Sequence, residues 1–66
     1  MHVTINGEPQ GLRDGLTIAE LVSDLGLNER RIAIEVNRAI IARERYVAHA
    51  LADGDQVEIV HFVGGG

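Results

Sequence analysis

The residues of this chain whose types and spacing offer chemistry are the last ones, "HFVGGG" at 61–66. Glycine loses more conformational freedom on ordering than any other residue, so Gly64, Gly65 and Gly66 do little to stabilise a fold. What they can present is the α-carboxylate of Gly66, ionised at neutral pH with an ordinary pKa of roughly 3.3–3.7. It would sit on a thread without side chains, thin enough to enter a narrow active site on another protein. A carboxylate resists nucleophiles until one of its oxygens becomes a good leaving group, and attack on the α-phosphate of ATP supplies that by forming an acyl-adenylate. The chain has no phosphate-binding loop, so magnesium and the positive charge for phosphoryl transfer must come from a partner. The competing reading is a disordered tail of no consequence. A double glycine is a weak signal by itself and a strong one when it follows directly on the last strand of a small domain.

Other chemistry is limited by composition. Sixty-six residues make one domain, and a domain of that size buries only about 60% of its unfolded surface. A substrate cavity of even ~300 Å³ would hollow out most of its core, so self-contained catalysis is not expected. Cysteine is absent, which excludes disulfides, iron–sulfur clusters and thiolate zinc sites. His2, His49 and His61 lack metal-ligand spacing, so no metal site is expected. Ten carboxylates stand against six arginines and no lysine, for a formal charge of −4. Nucleic-acid binding usually demands a basic stripe, whereas an acidic balance suits docking on a basic protein surface or simple solubility. No apolar run approaches the ~18 residues of a membrane span, and no signal segment opens the chain. A cytoplasmic protein, monomeric when free and bound to neither membrane nor nucleic acid, is the expectation.

The elements that must position the tail read as follows. "MHVTING" alternates, with Val3 and Ile5 on one face, and Asn6-Gly7 is a hairpin signal. A second strand should return through Gln10 to Arg13, and its Pro9 and Gly11 mark an edge. In "LTIAELVSDLG", Thr17 and Glu20 form a capping box, and Leu16 and Leu21 a hydrophobic staple. Ile18, Leu21, Val22 and Leu25 make one apolar stripe, and Gly26 stands where a left-handed cap belongs. After a polar turn at 28–31, "IAIEVN" puts Ile32, Ile34 and Val36 inward. The stretch "RAIIARERYVAHAL" has mixed periodicity and suggests a short strand near Ile40–Ile41, then a loop or a single helical turn. "ADGD" is a tight turn with Gly54 at positive φ, and "QVEIVHFV" is the last strand. Val3, Ile5, Ile18, Leu21, Leu25, Ile34, Val57 and Ile59 are the expected core.

Polarity fixes the faces of the last strand. Glu58 should not be buried unpaired, so Val57 and Ile59 point inward and Glu58, Val60 and Phe62 outward. Exposed apolar side chains just before the tail form a candidate docking surface. Strand, strand, helix, strand, short strand and final strand amount to an α+β plan, a mixed four- to five-stranded sheet packed on one main helix.

The motifs "VTING", "GLTIAELV", "IAIEVNRAIIARERY" and "DGDQVEIVHFVGGG" together resemble the ubiquitin-like, β-grasp sulfur carriers of the ThiS type over essentially the whole chain. The resemblance implies a β-grasp domain over 1–63 and a flexible glycine tail over 64–66. It further implies that a ThiF-type adenylyltransferase activates Gly66 with ATP and magnesium, and that no cofactor is held by the chain itself. A cysteine-derived persulfide would then convert the carboxylate to a thiocarboxylate, and a ThiG-type thiazole synthase would accept the sulfur for thiamine. The protein would be a carrier and not an enzyme. MoaD-type carriers for molybdopterin share the fold and the double glycine; the compact stretch from Asn37 to Tyr46 favours the ThiS type. Conjugation of the tail to a lysine of another protein is the other class of function that the residues leave open.

Overall fold

Asn6 and Gly7, both at positive φ (51° and 82°), turn the chain through a two-residue hairpin in which Ile5 faces Glu8. That is the backbone of a type I′ turn, whose twist matches the strands it joins. The computed structural model describes residues 1–63, and the expectation of a flexible tail at 64–66 lies outside the described residues. The hairpin strands are β1 (His2–Ile5) and β2 (Glu8–Gly11). The tight turn starts the pairing at once, so β2 begins two residues before the expected Gln10. All four of its residues are exposed and it forms a sheet edge, where Pro9 needs no N–H to donate.

Helix α1 (Ile18–Asp24) begins at a complete capping box: the Glu20 N–H donates to Thr17 Oγ1 and the Thr17 N–H to Glu20 Oε1. The Ile18 and Ala19 amides donate to the carbonyls of His49 and Tyr46. The helix start is therefore satisfied partly by its own cap and partly by the distant 46–49 segment, which it holds in place. At the other end Gly26 (φ 69°) donates to the Ser23 carbonyl and Leu27 to that of Val22, the Schellman pair.

Glu20 accepts the Thr17 N–H and hydroxyl and the Arg13 guanidinium, and these hold its carboxyl below the ordinary glutamate range. A depressed folded pKa stabilises the protein above the unfolded value of about 4.3, and that contribution disappears as pH falls through the folded value. Glu20→Gln is expected to flatten the stability profile in that acid window while the parent declines. Parallel profiles in acid unfolding curves would assign the decline to other groups.

The remaining strands are β3 (Ile32–Val36), β4 (Ala39–Ile41) and β5 (Gln56–His61), and one-turn 3-10 helices cover Glu29–Arg31 and Arg43–Arg45. The five strands form one mixed sheet in the order β2-β1-β5-β3-β4, with β1 and β5 parallel and the other neighbours antiparallel. A second two-residue hairpin joins β3 to β4 at Asn37 and Arg38, at φ 52° and 72°. Arginine is strained in that region, and the Asn37 side chain helps to secure the turn by bonding Asp55 and the Gln56 N–H.

The helix packs on one face of the sheet. Val3, Ile18, Leu21, Ile34, Val57 and Ile59 are buried as expected, together with Leu16, Val22, Ile32 and Val36. Two expected core residues differ. Leu25 is 48% exposed, because the helix ends at Asp24 and Leu25 is its C-cap, at the rim above the polar edge strand. Ile5 is half-buried, facing Glu8 on that same edge. With Leu12 they line a groove of about 330 Å³ in which Glu8 is the one ionisable side chain among the described residues. Tyr46 and Leu51, from the segment of mixed periodicity, complete the core instead.

Candidate docking face and tail anchor

Strand β5 lies between β1 and β3, and its pairing is reinforced at both ends. At its start it runs parallel to β1 for only two residue pairs. Beyond them the Asn6 side chain takes over the pairing: Oδ1 accepts the Ile59 N–H at 2.8 Å and Nδ2 donates to the Ile59 carbonyl at 3.3 Å. At its end the Phe62 N–H donates to the Arg31 carbonyl at 2.9 Å, one step past the five-pair ladder with β3. The strand that leads to the glycines is therefore fixed through Phe62. From Val63 to Gly66 four residues remain, an extended reach of at most ~14 Å.

Glu58, Val60 and Phe62 point away from the helix, as expected; Val60 is 49% and Phe62 58% exposed. The ladder adds neighbours that sequence reasoning missed. Ala33 stands opposite Val60, and Glu35 lies between Glu58 on one side and Ile40 on the other. Ile40 is 76% exposed. Directly paired residues of antiparallel strands share a face, so Ala33, Ile40, Val60 and Phe62 form an apolar tract on the uncovered side of the sheet, with Glu35 and Glu58 within it. The signal for Ile40 was present: in the adjacent pair Ile40-Ile41 of a strand, one side chain must face out. Its neighbours were hidden because strand register is not written in the composition.

The expected tail site, Gly64, Gly65 and Gly66, lies outside the described residues. Among the described residues no three His, Asp or Glu side chains gather closely enough to hold a metal ion, and no helix is long and apolar enough to cross a membrane.

Phe62→Ala is expected to leave thermal stability nearly unchanged, because the ring is exposed, while weakening binding to a protein that docks on this face by about 2 kcal/mol. Calorimetric titration giving parental affinity would remove Phe62 from the interface.

Among the described residues, one α-helix held against a mixed sheet of order 2-1-5-3-4, with the other face of the sheet left open, defines a β-grasp, ubiquitin-like domain. The model of the ThiS family matches residues 3–66. A sulfur carrier protein ThiS of Bacillus subtilis is 44% identical over 54 residues, 82% of each chain. A crystal structure of the thiamine biosynthesis protein ThiS of Geobacter metallireducens superposes with a TM-score of 0.86 at 35% identity, covering the whole of both chains. A thiazole synthase of Magnetococcus marinus is 41% identical over 66 residues, all of this chain and 20% of its own. The chain thus spans about one fifth of the length of the thiazole synthases that it matches. The chain belongs to the ThiS family.

Proposed function

We propose that this protein carries sulfur for thiazole formation in thiamine biosynthesis, as a substrate of its partner enzymes and not as an enzyme itself. The family match that extends to residue 66, on a domain whose last strand is anchored as far as Phe62, is the observation that carries this reading. The Gly66 carboxylate attacks the α-phosphate of ATP in the active site of a ThiF-type adenylyltransferase, and pyrophosphate leaves. That enzyme supplies the magnesium and the positive charge. The outer sulfur of a partner's cysteine-derived persulfide then attacks the acyl carbon and AMP leaves. A thiol reductant cleaves the resulting sulfur–sulfur bond, leaving a thiocarboxylate on Gly66 and the donor cysteine in a disulfide with that thiol. The outer face around Val60 and Phe62 seats on the enzyme while Gly64 to Gly66 enter its active site, where the absence of Cβ atoms permits close backbone approach.

The acceptor is a ThiG-type thiazole synthase in the cytoplasm. The thiazole synthases with a stretch resembling this chain support that assignment, since a fused carrier would be held permanently beside its acceptor. The test offers the sulfur-loaded protein separately to a thiazole synthase with its other substrates and to a molybdopterin synthase catalytic subunit. Thiazole product in proportion to loaded carrier is expected from the first and none from the second. The reverse pattern would assign the protein to molybdopterin, and a stable amide adduct to another protein would make it a conjugation tag.

A further inference from the structure

The arginines are not spread evenly. Arg30, Arg31, Arg43 and Arg45 lie on the two one-turn helices, Glu29–Arg31 and Arg43–Arg45, and all four are exposed. Those helices are neighbours: Arg43 Nε donates to the Glu29 carbonyl at 3.0 Å. They lie at the end of the sheet where β5 finishes, since Arg31 receives the Phe62 N–H. Four arginines against Glu29 and Glu44 give this end a formal +2 in a chain of −4, leaving −6 on the rest. Arg13 shows what an arginine of this protein does when a carboxylate is in reach, pairing with both Glu20 (3.2 Å) and Asp24 (3.4 Å). Among the described residues, none of the four clustered arginines makes an ion pair.

We infer that this arginine-bearing end is a second docking surface, complementary to a carboxylate-rich protein surface beside the active-site mouth that receives the tail. The inference rests on the carrier reading above and names the chemistry of the partner's surface. Guanidinium groups are weakly hydrated and match carboxylates in two-point geometry, which suits them to interfaces. The −6 on the rest of the molecule disfavours a nucleic acid as the occupant. Along the outer face, charge changes from Glu35 and Glu58, past Val60 and Phe62, to Arg31 at the tail end. A partner with basic, apolar and acidic zones in that order fits in one orientation only, the one that directs the glycines inward. The arginines would also speed encounter at low ionic strength.

The experiment measures stopped-flow association with the ThiF-type adenylyltransferase at low and high salt, alongside sulfur loading. The variants are Arg30→Gln/Arg31→Gln and Arg45→Gln, with Arg38→Gln, at the opposite end of β3, as control. Arg43 is left intact because it holds the two turns together. The double variant is expected to associate about tenfold more slowly at low salt, the difference shrinking at high salt. Arg45→Gln should slow by a smaller factor, and Arg38→Gln should match the parent. Equal rates and equal salt dependence in every variant, with the parent binding and loading normally, would overturn the arginine surface alone. Equal slowing by Arg38→Gln would overturn it too, since net charge would then be the cause. A parent that neither binds nor takes up sulfur would overturn the carrier reading and this inference with it.

Discussion

Deleting Gly66 is expected to abolish ATP-dependent activation and sulfur loading while leaving the melting temperature unchanged. Among the described residues Phe62 is the last one bonded to the sheet, and a terminal glycine has no side chain to contribute to a core. Its removal does draw the terminal carboxylate back by one residue, ~3.5 Å along an extended chain. A reacting group must be held to within ~0.5 Å of its productive position, and a fixed β5 leaves the domain no way to slide forward in compensation. Adding one residue after Gly66 should be equally damaging, because the reactive carboxylate at that position becomes an amide. Both variants should melt with the parent. Loading of the shortened chain at the parental rate would show that the position of the carboxylate does not matter.

Leu21→Ala is expected to do the opposite, severely destabilising the fold on which every function depends. Leu21 is 2% exposed, on the helix face that meets β1, β3 and β5. Truncating a leucine so placed costs ~2–5 kcal/mol, in a domain whose whole stability is on the order of 3–10 kcal/mol. The helix also holds the 46–49 segment through its first amides, so loosening it releases Tyr46 from the core. Thermal unfolding followed by circular dichroism should show a fall in melting temperature of more than ten degrees, at ~4–8 °C per kcal/mol for a domain of this size. A shift of only a few degrees would mean that the site collapses around the smaller side chain.

Most of this architecture was legible in the sequence because the signals were local. Thr17 and Glu20 announce a helix start by their spacing alone, and Asn6-Gly7 announces a hairpin by the φ values these residues tolerate. Strand β5 was readable because Glu58 cannot be buried alone, which fixes the faces of all its neighbours. What escaped reading depends on distant partners. Tyr46 and Leu51 enter the core because the 46–49 segment caps the helix from afar, and no periodicity encodes that. Leu25 fits the helical stripe yet lies at the rim, since a seven-residue helix does not reach across the edge strand. The Asn37-Arg38 turn lacks the usual glycine and is secured by the Asn37 side chain against Asp55 and Gln56. The docking face was half legible: Val60 and Phe62 follow from strand alternation, whereas Glu35 and Ile40 join them only through register.

The central claim is that sulfur travels on Gly66. Its most direct measurement is the intact mass of the protein after incubation with the adenylyltransferase, ATP, a persulfide donor and a reductant, followed by fragmentation to locate the change. A mass gain equal to the exchange of one oxygen for one sulfur, confined to the fragment ending at Gly66 and absent without ATP, is the predicted result. An unchanged mass under conditions where the enzyme is active, or sulfur located anywhere but Gly66, would contradict it.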